Sequence, residues 1–218
     1  MILHSDTISI LQNFQSINPS IVISEGSVLK TISAAETIYA KATIPDEFPT
    51  SFGIFDLSKF LGILSLDPNS DITFDKTHLT INQGKSKIKY TYCNPELIVA
   101  PPTSDVTLPT PYITFELKQE VLQGVMKAMA ILGFNELVFS GEDGVLSVQT
   151  LSSKNDSSDV YSTELGETDL TFTNIIEADK LKLINDTYNV FITKEGLTLF
   201  KSDTVEYYIA NSTKSSFV

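Results

Sequence analysis

The sequence predicts an α+β protein built from two similar domains in tandem, and three observations carry this reading. First, segments recur in a fixed order. Ile21-Val22-Ile23-Ser24 matches Leu137-Val138-Phe139-Ser140. Ile54-Phe55-Asp56-Leu57-Ser58-Lys59-Phe60 matches Ile175-Ile176-Glu177-Ala178-Asp179-Lys180-Leu181. Ile72 to Ile81 matches Val190 to Leu199, and the offset stays between 116 and 121 throughout. Second, both halves read as helix, strands, short helix, strands. Third, a stiff segment separates them: Ala100 to Pro111 holds Pro101, Pro102, Pro109 and Pro111, which favour an extended backbone with few donors. The expected domains are 1–100 and 113–218, with 101–112 as connector.

Taken in order, Asp6 to Ile17 is the first helix. Ile10, Phe14 and Ile17 share one side, Ile8 and Leu11 sit at its margins, and Asp6 is its N-cap. Ser5, Ser9, Gln12, Asn13 and Ser16 fall on the other side. Ile21 to Ile23, Val28 to Ile32 and Thr37 to Ile44 are β-branched runs that read as strands. Asp56 caps a short helix over Leu57 to Leu66, stopped by Asp67-Pro68. Ile72 to Phe74 and Leu79 to Ile81 flank a turn, and Lys85 to Tyr92 alternates as a further strand. Leu117 to Leu132 is the clearest helix, with Val121, Val125, Met129 and Leu132 inward and Glu120, Gln123 and Lys127 outward. Glu177 to Ile184 is read as a fourth, short helix.

Composition excludes several function classes. The chain has 218 residues, 27 acidic and 15 basic side chains, and a formal net charge of −12. Every basic residue is lysine. Without arginine there is no bidentate base reading and no arginine finger. A broad basic DNA-coating face is excluded, while a local one is not. Hydrophobic content of 42% suffices for a buried core. The lone Cys93 rules out a disulfide framework and reads as a small, partly buried hydrophobe. His4 and His78 leave little for a metal site or a triad, and both read as solvated. No leader or membrane-length apolar run is visible, so a soluble, intracellular protein is expected. The Asn-x-Ser/Thr triplets at Asn155, Asn185 and Asn211 then read as chance.

The search for catalysis comes back nearly empty. No nucleophile elbow, phosphate loop or metalloprotease motif is present. Asp67, Asn69 and Asp71 have the spacing of a calcium loop, but Pro68 and the missing glycine and glutamate favour an ordinary Asp-Pro-Asn turn. Asp56 and Glu177 occupy matching repeat positions and read as helix caps rather than an acid–base pair. No cofactor is called for. A structural virion protein is the alternative to a binding and scaffold role, and a small hydrolase has no positive support.

The lysines carry more information. Lys85, Lys87 and Lys89 alternate, so they share one strand face. The plain reading is a solvated face or a guarded edge. The functional reading is a docking edge, because Asp159, Glu164 and Glu167 surround the strand Val160 to Thr163 in the other half. Opposite charges on two edges suit head-to-tail assembly, which closes into a ring if the rotation allows.

Several segments together resemble the sliding clamps of T-even-type bacteriophages. They are Asp6-Thr7 through Asn13-Phe14 and Ile17-Asn18; Ile54 to Leu57 followed by Phe60-Leu61-Gly62-Ile63-Leu64-Ser65-Leu66; Val99-Ala100-Pro101; and Glu206-Tyr207-Tyr208-Ile209-Ala210 through Ser212-Thr213 to Phe217. The resemblance spans the chain in order and is more specific in the first half. It implies the DNA clamp fold: antiparallel sheets outside, helices lining the hole of a homotrimeric ring. Duplex DNA would pass through without base recognition, the replicative DNA polymerase would be tethered, and a clamp-loader ATPase would open the ring in the cytoplasm of the infected bacterial host. No active site and no cofactor would be needed. The resemblance places Ser9, Gln12, Asn13, Ser16, Lys118, Gln123 and Lys127 toward DNA. It sets the strand around Lys87, Lys89, Tyr90 and Tyr92, with Lys85 beside it, against Val160, Tyr161 and Glu164 of the next subunit, with Asp159 adjoining. It also implies an apolar groove near the connector for partners' C-terminal peptides. The family carries more basic residues on these helices than this chain does, which implies that topology, more than affinity, would hold DNA here.

Overall fold

The computed structural model describes residues 1–67, 69–152 and 159–218. Asn155, one of the three triplet asparagines, and Pro68 lie outside the described residues. The chain divides into two compact units, Met1–Asp105 and Val106–Val218.

The first unit opens with helix α1, Ser5–Gln15. Leu11 and Phe14 are fully buried, and Ile10 and Ile17 nearly so, which fixes the inward face. His4 rather than Asp6 is the N-cap: its Nδ1 accepts from the Asp6 amide at 3.2 Å. Strands β1 (Ile21–Ile23), β2 (Gly26–Ile32), β3 (Ile38–Phe48) and β4 (Phe52–Ile54) follow. β1 pairs with β4 and β2 with β3, both antiparallel. Helix α2 spans Leu57–Leu64, two residues shorter than expected. Its cap is as expected: Asp56 Oδ1 accepts from the Lys59 amide at 2.8 Å. Leu57, Phe60, Leu61 and Leu64 are its buried face, and α2 packs beside α1.

The unit ends in an antiparallel sheet of β5 (Asp71–Phe74), β6 (His78–Gln83) and β7 (Ser86–Thr91). Before it, the Asp67 carboxylate accepts from the Asn69 amide at 2.9 Å, an Asx turn. The outer edge of β5 is taken by the chain's own start, since Met1 and Ile72 exchange two backbone hydrogen bonds of 2.8 Å. Residues 98–111 contain neither helix nor strand.

The second unit repeats the pattern with changes. Strand β8 is Ile113–Leu117, and Leu117, expected in the helix, instead pairs with Tyr188. Helix α3 is Gln119–Leu132, closed by Gly133 in the left-handed region at φ 67°. Its buried residues are Leu122, Val125 and Met129. Leu132, expected inside, is exposed and Val121 only half-buried. The buried stripe runs through Leu122, Val125 and Met129, three and four residues apart, which puts Val121 at its margin and leaves Leu132, in the last turn, exposed.

Strands β9 (Glu136–Glu142), β10 (Val145–Leu151), β11 (Tyr161–Glu167), β12 (Phe172–Glu177) and β16 (Ser216–Phe217) form one antiparallel sheet, ordered β11-β10-β9-β12-β16. Strands β13 (Tyr188–Ile192), β14 (Leu197–Lys201) and β15 (Val205–Ala210) continue from β8 in the order β8-β13-β14-β15. The pairings β1–β4, β2–β3 and β5–β6–β7 of the first unit recur as β9–β12, β10–β11 and β13–β14–β15. Even the Met1–Ile72 contact has a counterpart in β8–β13. The core of this unit centres on Phe139, Ile176, Tyr188, Phe200 and Tyr207, all fully buried.

The expected helix over Glu177 to Ile184 is absent. A single 3-10 turn, Ala178–Lys180, stands there, and Leu181 leaves the helical region at φ −80°, ψ 75°. Glu177 does not cap it. Its carboxylate pairs with Lys180 instead, and its backbone belongs to β12, opposite Glu136. Among the described residues no helix is long and apolar enough to cross a membrane.

Candidate functional site

Two kinds of surface collect the residues singled out from sequence: the outward faces of the helices and two strand edges. On α1, Ser9, Gln12 and Ser16 are exposed and Asn13 is half-buried. Ser9 Oγ donates to the Ser5 carbonyl at 2.9 Å and Ser16 Oγ to the Asn13 carbonyl at 2.6 Å. These hydroxyls are satisfied by their own helix, so α1 offers a short, neutral face with one acid, Asp6, at its start.

The outward face of α3 is more basic. Lys127 is exposed, as is Glu120. Lys118 occupies the N-cap position without a side-chain cap bond; the Gln119 amide is served by Thr187 Oγ1 at 3.1 Å. A cation at the positive end of a helix dipole does not stabilise the helix. Gln123 lies on the flank rather than the outward face. With Leu122, Met126 and Leu183 it lines a mainly apolar cleft of about 370 Å³, with Lys127 and Asn185 at its border. The 3-10 turn and the coil after it leave this flank open, where α2 covers the corresponding flank of α1.

Lys59 was missed from sequence. It is exposed on α2, the helix packed beside α1. The signal was available, because Lys59 sits in the matched repeat. Its counterpart Lys180 is half-buried, pairs with Glu177 and donates to the Ala210 carbonyl at 3.1 Å.

The strand edges are β7 and β11. Among the described residues β7 pairs only with β6, and β11 only with β10. On β7, Lys87 and Lys89 are exposed and alternate with half-buried Ile88 and Tyr90. Lys85 lies in the preceding turn and Tyr92 just beyond the strand, so the expected strand is trimmed at both ends. Tyr90 is tied inward. Its ring lies 5.4 Å from that of Phe60 and its hydroxyl donates to the Asp56 carbonyl at 3.2 Å. Burial, then the Asp56 carboxylate, raises its pKa above the usual tyrosine value. Tyr92 stacks on Phe52 at 4.9 Å.

On β11, Tyr161, Thr163 and Leu165 are half-buried and alternate with exposed Ser162 and Glu164. Asp159 and Val160 precede the strand and are exposed. Tyr161 also reaches the helix: a Cβ added at Gly124 of α3 would lie 3.0 Å from its hydroxyl. Thus a lysine-bearing edge stands on the first unit and a glutamate-bearing edge on the second. Neither has its inward-facing row fully covered.

Two antiparallel α+β units, the second repeating the strand pairings of the first and adding β9–β10, with helices on the sheets, define the two-domain clamp fold. The solved structures agree on the fold. Proliferating cell nuclear antigen of A. fulgidus, solved with the C-terminal region of FEN-1 bound, superposes with TM-score 0.68 at 12% identity, covering 96% of each chain. The β chain of DNA polymerase III from Streptococcus pneumoniae superposes with TM-score 0.66 at 16% identity over 94% of this chain. This chain spans 62% of that one's length. Residues 4–100 match the DNA polymerase processivity factor family and residues 114–213 the C-terminal domain of the gp45 sliding clamp. The sliding clamp of Vibrio phage KVP40 is 31% identical over 96% of this chain and 98% of its own. That of Enterobacteria phage T4 is 28% identical over 96% of each. The chain belongs to the phage sliding-clamp family of DNA polymerase processivity factors. This family membership favours the scaffold role over the virion alternative.

Proposed function

We propose that the protein closes as a homotrimer around duplex DNA and tethers the replicative polymerase, acting by topology and without a catalytic step. Family membership across the whole length carries this reading. The two strand edges support the assembly. β7 with Lys87 and Lys89 pairs with β11 and Glu164 of the next copy, completing both sheets and bringing opposite charges together. Lys85, Tyr90 and Tyr92 flank this joint on one side and Asp159, Val160 and Tyr161 on the other.

The helices face DNA. Lys59, Lys118 and Lys127 supply the positive charge; Ser9, Gln12, Asn13 and Ser16 supply a neutral wall, and Gln123 lies at its margin. Lys118 at the N-terminus of α3 is accounted for by a phosphate outside the helix rather than by the helix itself. With few lysines and two acids, Asp6 and Glu120, nearby, net attraction is weak. A weakly attractive pore lets a closed ring slide. A clamp-loader ATPase opens the ring in the cytoplasm of the infected host. Partner tails dock in the cleft between β1–β2 and the connector, where the apolar Val22, Val28, Pro101 and Pro102 are joined by the charged Glu25 and Lys30.

The test is topological. Loaded with its loader and ATP onto a nicked circular duplex, the protein remains bound through a high-salt wash. Linearising the circle releases it. Retention on linear DNA, or a monomer mass at micromolar concentration with no loading, overturns the reading.

A further inference from the structure

Lys30 on β2 and Lys41 on β3 are direct cross-strand partners, so both side chains leave the same face of the strand pair. Like charges placed opposite each other repel unless a counter-charge lies between them. Asp105, near the middle of the proline-rich segment, supplies that charge. One carboxylate oxygen lies 2.8 Å from Lys30 Nζ and the other 3.1 Å from Lys41 Nζ. These two ammonium groups hold its carboxyl below the usual carboxylate range. The lysine side chains are only 25% and 29% exposed, whereas that of Asp105 is 64% exposed. The lysine pair is therefore the fixed part of the arrangement, and the carboxylate is the exchangeable one.

Lys30 also lines the cleft described above, a space of about 400 Å³ walled by Val22 and Val28 on one side and Ala100, Pro101 and Pro102 on the other. The prolines carry no amide hydrogen, so this wall cannot pair with an added strand; entry is by side chains. Glu25 lines the cleft too and repels a second acid there. An entering peptide is thereby oriented, with its apolar side chains in the cleft and its carboxylate toward Lys30.

We propose that Lys30 and Lys41 form a carboxylate slot at the end of the cleft, that Asp105 is its internal occupant, and that a partner peptide carrying a free carboxylate displaces Asp105 on docking. The inference rests on the reading that partner tails dock beside the connector, and it adds a regulation to that site. Docking would release the connector from the β2–β3 pair, so occupancy of the cleft and freedom of the connector are linked. An internal competitor lowers apparent affinity by the fraction of time it holds the slot.

The probe is a fluorescently labelled peptide of the last twelve residues of the DNA polymerase encoded by the same phage, made with a free C-terminal carboxylate and as the C-terminal amide. Binding to the full-length protein is followed by anisotropy. Asp105→Asn binds the free-acid peptide roughly three- to tenfold more tightly than the parent and the amide little differently. Lys30→Gln with Lys41→Gln weakens the free acid roughly tenfold and erases its advantage over the amide. Thermal melts matching the parent show that the variants fold. Equal affinity of both peptide forms for the parent and all variants overturns the slot and leaves docking intact. Absence of binding to every form, while the clamp still stimulates that polymerase on a primed circle, overturns the docking reading and the slot with it.

Discussion

The two halves solve the same packing problem differently. In the first, α1 has a helical neighbour, α2, whose Leu57, Phe60, Leu61 and Leu64 are all buried. In the second, the equivalent stretch is one 3-10 turn and a coil, and the flank of α3 is left as a cleft against Leu183. The repeat lysines follow suit. Lys59 is free to face outward, while Lys180 is committed to Glu177 and Ala210. The capping acids diverge in the same way, Asp56 holding a helix and Glu177 holding a lysine. A duplicated fold thus preserves its strand pairings and lets the helical layer drift. Pairings are constrained by every backbone donor in the sheet, whereas a surface helix needs only its buried stripe.

The edges show the same asymmetry in charge, and testing them should give the largest effect. Lys87→Glu together with Lys89→Glu would set acids against Glu164. Like charges at an interface cost on the order of several kcal/mol. The expected result is a shift from trimer to monomer at micromolar concentration, read by light scattering or native mass spectrometry. Adding Glu164→Lys should restore part of the trimer. An unchanged mass for the first variant would remove the charge contrast between the halves from the account of assembly.

Next in size is the helical layer itself. Leu57, the first residue of α2, is fully buried. Leu57→Ala should cost about 2–5 kcal/mol in denaturant unfolding. Leu183 is half-buried at an open cleft, and Leu183→Ala should cost under about 1 kcal/mol. Similar losses at both positions would mean that the coil packs as firmly as the helix and that the contrast is one of shape alone.

How much of this was legible follows from where each constraint resides. The buried stripe of α1, the cap of α2 and the hairpin at Ile72–Ile81 could be read, because periodicity, cap and turn are local, although the cap of α1 fell on His4 instead of Asp6. The helix over Glu177 to Ile184 was misread because its first residues copy Asp56 to Phe60 in pattern. What displaces its start is nonlocal: Glu177 is drawn into β12 opposite Glu136. Leu117 was misplaced for the same reason, its pairing partner Tyr188 being far along the chain. The alternating charges of Lys85, Lys87 and Lys89 were visible, but that β7 pairs only with β6 among the described residues is a fact of topology. Asp105 closing on Lys30 and Lys41 spans up to 75 residues and had no signature at all.

A smaller effect separates the two capping acids. Asp56→Ala removes the cap of α2 and should cost about 1 kcal/mol. Glu177→Gln removes an ion pair instead, and its signature is in pH. Burial alone would raise the Glu177 pKa, but the hydrogen bonds from Lys180 and Ser212 outweigh it and hold the carboxyl below the usual range. A carboxyl lowered on folding stabilises above its unfolded pKa, and that contribution is lost as pH falls through the folded value. The parent should therefore lose stability on acidification from pH 5 downward more steeply than Glu177→Gln, measured by melting across that range. Parallel curves would assign Glu177 no more than a spacing role.

The smallest effect probes how the second half joins its helix to its edge strand through Tyr161 and Gly124, where the first half joins β7 to α2 through Tyr90 and Phe60. A glycine inside a helix costs about 1 kcal/mol relative to alanine, so Gly124 needs a reason. The reason on the structure is the Tyr161 hydroxyl, 3.0 Å from where a Cβ would stand. Gly124→Ala alone should then be close to neutral, the gain in helix propensity offset by displacement of the ring. In a Tyr161→Phe background the obstructing oxygen is gone, and Gly124→Ala should stabilise by up to about 1 kcal/mol. The double-mutant cycle isolates this contact from helix propensity. Full additivity would show that Tyr161 does not hold β11 to α3. Strong coupling would show that Tyr161, which the proposed subunit joint includes, is seated on the helix that carries Lys118 and Lys127, so that strain at such a joint would reach that helix through one side chain.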